Sequence, residues 1–287
     1  MKLCTFQQDG RAHAGVISGG DVISLGSAGF PTVISFLEGV EPEAKNRIEE
    51  LLAKPPADSV FPLGSVKLLA PIPRPPKIVC IGLNYRDHAI ESGLPIPTTP
   101  VIFTKFATAV IGPGDDIVLP ANSEKPDYEA ELAFVIGKGG RHIKAADWRE
   151  HVFGYTNFHD VSARDFQLVT SQWTIGKTFD TFAPFGPWIV SADEIADPHN
   201  LNIRLEINGE TLQNSNTREL IFGIPALVEY LSSVFTLESG DIVATGTPPG
   251  VGMARKPPRW LRPGDEVLVA IEGLGELRNT AVAEDLQ

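Results

Sequence analysis

Glu129 and Glu131 lie two residues apart in the run Asp127-Tyr128-Glu129-Ala130-Glu131-Leu132-Ala133-Phe134-Val135-Ile136-Gly137, which otherwise reads as a buried strand. Side chains alternate along a strand, so both carboxylates point to one face. Beside apolar neighbours the two groups repel each other and lose hydration, an arrangement that persists when a cation sits between them. Oxygen ligands select a hard divalent ion: Mg2+, Mn2+ or Ca2+. The bland alternative is an edge strand with an exposed polar face. His88 and Glu91 are three residues apart and on a helix share one face. They make either a surface pair or an imidazole oriented by a carboxylate for proton transfer. Lys177 stands alone in the uncharged stretch Trp173-Thr174-Ile175-Gly176-Lys177-Thr178-Phe179, either snorkelling from the surface or aimed into a site. Arg164 can grip a carboxylate bidentately or pair with its neighbour Asp165. Thr247, in a Gly-Thr-Pro turn, can offer a hydroxyl and an N–H, or be a plain turn residue.

The elements that must position these groups divide at a stiff connector, Ala70-Pro71-Ile72-Pro73-Arg74-Pro75-Pro76. Residues 1–70 read as a small α+β unit, with strands over 1–6, 14–17 and 66–69 and helical spacing over 32–37 and 42–53. Residues 71–287 read as a larger unit. Its strands fall over 77–82, 101–105, 117–119, 129–136, 152–158, 188–190, 201–207, 242–245 and 266–271. Asn208-Gly209 marks a hairpin tip, and 224–235 is the one clear amphipathic helix of the second half. Asn84 or Asp87 is placed to cap a helix running through His88 to Glu91. Many short strands and few helices predict a mostly β (α+β) fold rather than a doubly wound βαβ sheet.

Composition narrows the partners. A formal net charge of -12 argues against nucleic acid or an anionic membrane, which need a basic face, but not against small anionic substrates. Two cysteines, Cys4 and Cys80, far apart in sequence, fit a reducing cytoplasm better than a disulfide framework. Neither a signal-like leader nor an apolar run of about 18 residues is present, so a cytoplasmic protein with no membrane partner is expected. The sequence contains no zinc motif, Gly-x-Ser-x-Gly elbow, P-loop or dinucleotide fingerprint.

Five motifs in order carry a resemblance. They are Gly82-Leu83-Asn84-Tyr85-Arg86-Asp87-His88, Asp127-Tyr128-Glu129-Ala130-Glu131-Leu132, Phe158-His159-Asp160-Val161-Ser162-Ala163-Arg164-Asp165, Gly176-Lys177-Thr178-Phe179-Asp180, and the run from Gly240 through Thr247-Pro248-Pro249-Gly250 to Gly252. From about residue 77 to about 275 the chain resembles the fumarylacetoacetate hydrolase (FAH) family. The 246–250 and 255–258 wording is similar to the branch of 2,4-diketo-acid hydrolases and oxaloacetate tautomerases. The resemblance implies a mixed β-roll catalytic domain, an N-terminal accessory domain and a homodimer. It also implies Mg2+, Mn2+ or Ca2+ on Glu129, Glu131 and Asp160, and a His88–Glu91 dyad on a segment that closes over substrate. Lys177 would stabilise an enolate oxygen, while Arg164, Gln167 and Thr247 would hold the substrate. The substrate implied is a small anionic 2-oxo or 2,4-dioxo acid. The reaction implied is carbon–carbon hydrolysis of a 2,4-dioxo acid, with oxaloacetate tautomerisation or decarboxylation as the alternative and a non-catalytic acid-binding role as a minor one. Residues 92–99 and 168–173 would select the distal group.

Overall fold

The computed structural model describes residues 1–39 and 42–285, so the last two residues of the expected second unit lie outside the described residues. The mostly β, α+β architecture expected from the sequence is the one observed. A large mixed sheet runs through the strands Val60–Pro62, Asp21–Ser24, Arg11–Ser18, Lys2–Gln8, Ala183–Ser191, Val152–His159, Ala130–Ile136, Ile242–Ala244, Ile78–Gly82 and Val101–Lys105. A second sheet of five strands orders Glu210–Asn216, Asn202–Ile207, Glu266–Ile271, Gly275–Ala283 and Asp116–Leu119.

The strand Ala130–Ile136 is buried at every position because both its faces are covered. Leu132, Phe134 and Ile136 enter a core that includes Ile203, Leu205, Val267 and Val269 from the second sheet. Ala133 and Val135 enter another core with Cys80, Phe158 and Phe36. Each large apolar side chain buried this way contributes roughly 1.5–3 kcal/mol. Glu131 has the parity of Ala133 and Val135, so it shares their face. The central position of this strand follows from its content, since a near-continuous apolar run suits burial on both sides.

The hairpin expected at Asn208-Gly209 is present, with φ of 53° and 80° at the two residues, as a tight two-residue turn requires. The second-half helix spans Ile224–Val234 and buries Ile224, Leu227, Val228 and Leu231. The long strand Gly275–Ala283 carries no clear sequence signal, because Asn279 stands at a buried position between Leu277 and Ala281. Hydrogen bonding crosses the proline-rich connector: Lys2 pairs with Val190 and Leu3 with Ile189. Thr5 donates its hydroxyl to the Pro71 carbonyl at 2.7 Å. Leu3, Val16 and Phe36 share a core with Ala133, Phe158 and Phe185.

Candidate functional site

Antiparallel pairing assembles the carboxylates. Ala130 is in register with His159, and the Asp160 N–H donates to the Glu129 carbonyl at 2.9 Å. The strand end therefore delivers Asp160 beside Glu129 and Glu131, and one oxygen from each lies within 4.8 Å of the others. All three are buried. Lys177 Nζ donates to Glu129 Oε2 at 2.6 Å and to Asp160 Oδ2 at 2.8 Å. Arg164 Nη2 donates to Glu129 Oε1 at 2.6 Å. Lys105 Nζ lies 2.5 Å from Asp160 Oδ1. Among the described residues Glu131 alone of the three has no ion pair, and it accepts a hydrogen bond from the Gly246 N–H at 2.8 Å.

The electrostatics follow this division. Burial, then Asp160 and Glu129, push the Glu131 carboxyl well above the usual range. Burial also works against the charge of Glu129, but Lys177 and Arg164 prevail and hold it down to about 2. Burial opposes the Lys177 ammonium too, yet Asp160 and Glu129 outweigh it and raise its pKa. The unmet negative charge thus falls on Glu131, in an all-oxygen donor set. Such a set fits a hard divalent cation.

Lys105, missing from the sequence-based site, is fully buried beneath the cluster. Its ammonium donates to the Val161 carbonyl at 2.9 Å and to the Lys177 carbonyl, as well as pairing with Asp160. A lysine at the end of an otherwise uncharged strand, Val101–Lys105, was the available signal. Asp127 was also missed. It accepts from Arg164 Nε at 2.8 Å and from the Gly252 and Met253 amides at 2.7 and 3.1 Å, tying the strand entry to the loop after Gly250. Arg164 does not pair with Asp165, which instead takes the Ser123 hydroxyl and the Glu124 N–H. Cys80, on the strand Ile78–Gly82, is buried behind the same cluster. Burial, then Asp160 and Glu131, push its thiol well up.

His88 and Glu91 sit on the short helix Arg86–Glu91 with His88 Nδ1 3.2 Å from Glu91 Oε2. The Gly250 N–H donates to both Glu91 oxygens, at 3.0 and 3.1 Å. Burial works against the Glu91 charge, but the His88 and Gly250 hydrogen bonds lower its pKa overall. The expected cap is corrected: the helix is entered from Tyr85 without a side-chain cap. Asn84 is drawn away by the Phe222 backbone and the Thr245 carbonyl. Asp87, inside the helix, accepts from its neighbour His88 N–H at 3.0 Å and from the Ser215 hydroxyl at 2.6 Å.

One cavity of about 580 Å³ brings these groups together. Glu129, Glu131, Lys177, Arg164, Gln167 and Thr247 line it, and His88 and Glu91 line it too, while Asp160 lies behind the wall. Ser92, Leu94, Leu168 and Trp173, from the segments expected to choose the distal group, also line it. A separate cavity of about 690 Å³, bordered by Phe36, Leu37, Lys138 and His151, contains none of the candidate residues. Gln167 Oε1 accepts from Arg164 Nη1 at 2.8 Å, and Thr247 Oγ1 accepts from Gln213 Nε2 at 2.9 Å. No described helix is long and apolar enough to cross a membrane.

Comparison with known proteins identifies the family. The family described as fumarylacetoacetate (FAA) hydrolase C-terminal matches residues 77–282. The bovine (Bos taurus) protein named oxaloacetate tautomerase FAHD2A, mitochondrial, is 48% identical over 292 residues, covering 98% of this chain and 92% of that one. Among solved structures, maleylpyruvate hydrolase from Sphingobium sp. SYK-6, in complex with manganese(II) and pyruvate, superposes with a TM-score of 0.83 at 32% identity. It covers 99% of this chain and 100% of that one. The 2-hydroxyhepta-2,4-diene-1,7-dioate isomerase of Mycobacterium marinum gives a TM-score of 0.78 at 35% identity, over 99% of each chain.

Proposed function

The chain belongs to the fumarylacetoacetate hydrolase family, and from that premise we propose that it is a divalent-metal-dependent oxaloacetate keto–enol tautomerase. The observation that carries the reading is the single cavity in which the carboxylate cluster and Lys177 meet the His88–Glu91 pair. The similarity to tautomerases along nearly the whole chain moves tautomerisation ahead of the hydrolysis expected from the sequence.

Glu129, Glu131 and Asp160 would hold Mg2+, with Mn2+ and Ca2+ as alternatives. A bound ion supplies positive charge that favours the enol form of a chelated 2-oxo acid. The chain's own groups do the rest. Lys177 has three N–H donors, and Glu129 and Asp160 take two of them. The third is left for the 2-oxo oxygen as negative charge grows there. Glu91 engages His88 Nδ1, which leaves Nε2 to take a proton from C3 of the keto form and then give it to the 2-oxo oxygen, completing the enol; the reverse reaction runs the same transfer backwards. Gln167 accepts from Arg164 through its oxygen, so its NH2 group is available to the substrate. Thr247 accepts from Gln213, so its hydroxyl hydrogen is available to the carboxylate. Arg164, with all three nitrogens engaged by Asp127, Gln167 and Glu129, contributes charge and placement rather than a free fork.

The second reading is hydrolysis of a 2,4-dioxo acid. There His88 would activate water toward the 4-carbonyl, the bond to C3 would break, and the leaving carbon would depart as an enolate. A cavity of about 580 Å³, much larger than a four-carbon acid needs, favours keeping it. The test follows enol-oxaloacetate absorbance with and without Mg2+ or Mn2+, beside acylpyruvate cleavage in the same preparation. Tautomerisation faster than cleavage by orders of magnitude supports the first reading, and the reverse order supports the second. Metal uptake without turnover of any 2-oxo acid would leave a non-catalytic acid-binding protein.

Further features belong to the same proposal. An accessory unit 1–70 and a catalytic unit 71–287 are the first: limited proteolysis at the exposed Pro73 and Arg74 would cut between them, and the two pieces should stay associated through the shared sheet and core. A homodimer would appear in light scattering. A cytoplasmic location, against the mitochondrial one in the relatives' names, would be decided by fractionation.

A further inference from the structure

Trp173 occupies the place of a side chain that another residue lacks. A Cβ built on Gly82 would lie 2.3 Å from Trp173 Cζ3 and 3.0 Å from Cη2, so the indole rests directly on the backbone at the end of the strand Ile78–Gly82. Glycine in a strand often marks a close approach of this kind. The indole edge packs on Phe103 from the neighbouring strand, with centroids 5.7 Å apart and planes at 62°. Phe103 also meets Lys177, whose ammonium lies 4.9 Å from the ring centroid. Gly82, Phe103 and Trp173 all line the cavity. Along this wall the surface passes from the ammonium, over one aromatic ring, to the indole.

The indole is held from the Lys177 side. The Trp173 carbonyl accepts from the Gly176 N–H at 2.9 Å, opening the turn Thr174–Lys177. Gly176 is itself pressed against the Gln167 backbone, where a Cβ would meet the nitrogen at 2.3 Å. Ile81, Leu83, Leu94 and Val101 add apolar lining to the same cavity, Val101 being the strand partner of Gly82. If the polar end holds a 2-oxo acid head, as proposed above, this wall offers the tail an apolar surface. We propose that Trp173, seated on Gly82, is the specificity-determining residue that limits the length of the substrate's distal chain. The inference rests on the 2-oxo acid reading for the head group and adds what stops the tail.

The test measures binding by calorimetry to the Mn2+-loaded protein, using straight-chain 2-oxo acids from pyruvate to 2-oxooctanoate. In the wild type, affinity should stop rising with chain length early in the series. In Trp173→Ala the longest acid should gain about tenfold relative to pyruvate, equivalent to burying about two further methylenes. Trp173→Phe, which keeps an aromatic contact on Phe103, should give a smaller gain in the same direction. An unchanged length profile in both variants, with pyruvate binding retained, would overturn the proposal. A uniform loss across the series would also overturn it, since that would mark Trp173 as support for the Lys177 turn alone. Wild-type discrimination by length without acceleration of oxaloacetate tautomerisation would support the wall while sinking the tautomerase reading.

Discussion

Glu131 is 1% exposed, on a strand covered on both faces, whereas Ile90, two residues beyond His88, is 75% exposed on a helix of six residues. Both regions border the same cavity, yet they are built differently. The carboxylate floor is fixed by sheet register, by three buried cations and by apolar cores above and below. The His88–Glu91 rim is held by a few hydrogen bonds: Glu91 to Gly250, Asp87 to Ser215 and the helix's own turns. Leu94, Ile96, Leu168, Ile175 and Met253 are likewise exposed large apolar residues, and Leu94, Leu168 and Met253 border the cavity. The contrast separates two tasks. On the proposed reading, holding a 2-oxo acid head would demand charges that do not move, which the core supplies. The choice of proton or bond would fall to the His88 imidazole on the rim.

Glu131→Gln tests the floor most severely. It should reduce turnover by about 10³-fold, through loss of metal-supplied charge stabilisation worth several kcal/mol. The same change removes a buried acid whose ionisation the metal-free fold opposes, a cost at neutral pH that Gln does not carry, so the metal-free variant should melt about 2–4 °C above the metal-free wild type. Thermal melts with and without Mn2+ would show both signs. A lower melting point in both states would mean that Glu131 is paired in a way the geometry does not contain.

His88→Ala acts on the rim. Turnover should fall roughly 10²–10⁴-fold, the usual range for a lost acid–base group. Mn2+ affinity by calorimetry should stay within about twofold if floor and rim are independent. A matching fall in metal affinity would break the comparison.

Glu91→Gln is gentler, costing about tenfold in turnover, and it carries a pH signature. The folded pKa of Glu91 is depressed below the ordinary 4.5, so its tie to Gly250 stabilises the rim fully above that value. The tie is lost only as pH falls through the lowered pKa. Hydrogen exchange at the Gly250 amide should therefore stay protected at pH 4.5 in the wild type and show no such acid transition in the variant. The smallest effect is expected for Ser215→Ala, which frees one oxygen of Asp87 and should lower stability by roughly 1–2 kcal/mol in a denaturant titration while leaving metal affinity unchanged.

The two regions also differ in how legible they were. Glu129 and Glu131 announce themselves because strand periodicity is two, and His88 with Glu91 because a helix brings i and i+3 together. Lys105 gave no such sign. Its partners, Asp160 and the Lys177 carbonyl, come from other parts of the chain and meet it only once the sheet is assembled. Arg164 is the clearest lesson. Sequence proximity suggested Asp165, while the fold supplies Asp127 and Glu129. Trp173 was marked only as part of a pocket segment, because its seat exists through the missing side chain of Gly82, a residue far away in sequence. The strand Gly275–Ala283 escaped notice because a polar residue, Asn279, takes one of its buried positions and breaks the alternation that reveals a half-buried strand.

Cys80 gives the floor a built-in chronometer. Its thiol is fully buried, and its pKa is raised by that burial and by two neighbouring carboxylates, so the reactive thiolate is scarce in the native protein. Cys4 is likewise buried, with its thiol pushed up to about 12. Alkylating reagents and peroxide should therefore pass over the folded chain, and thiol labelling should advance only as fast as the core opens. The rate at which iodoacetamide modifies Cys80 would then time the opening of the carboxylate cluster, residue by residue silent until the sheet parts.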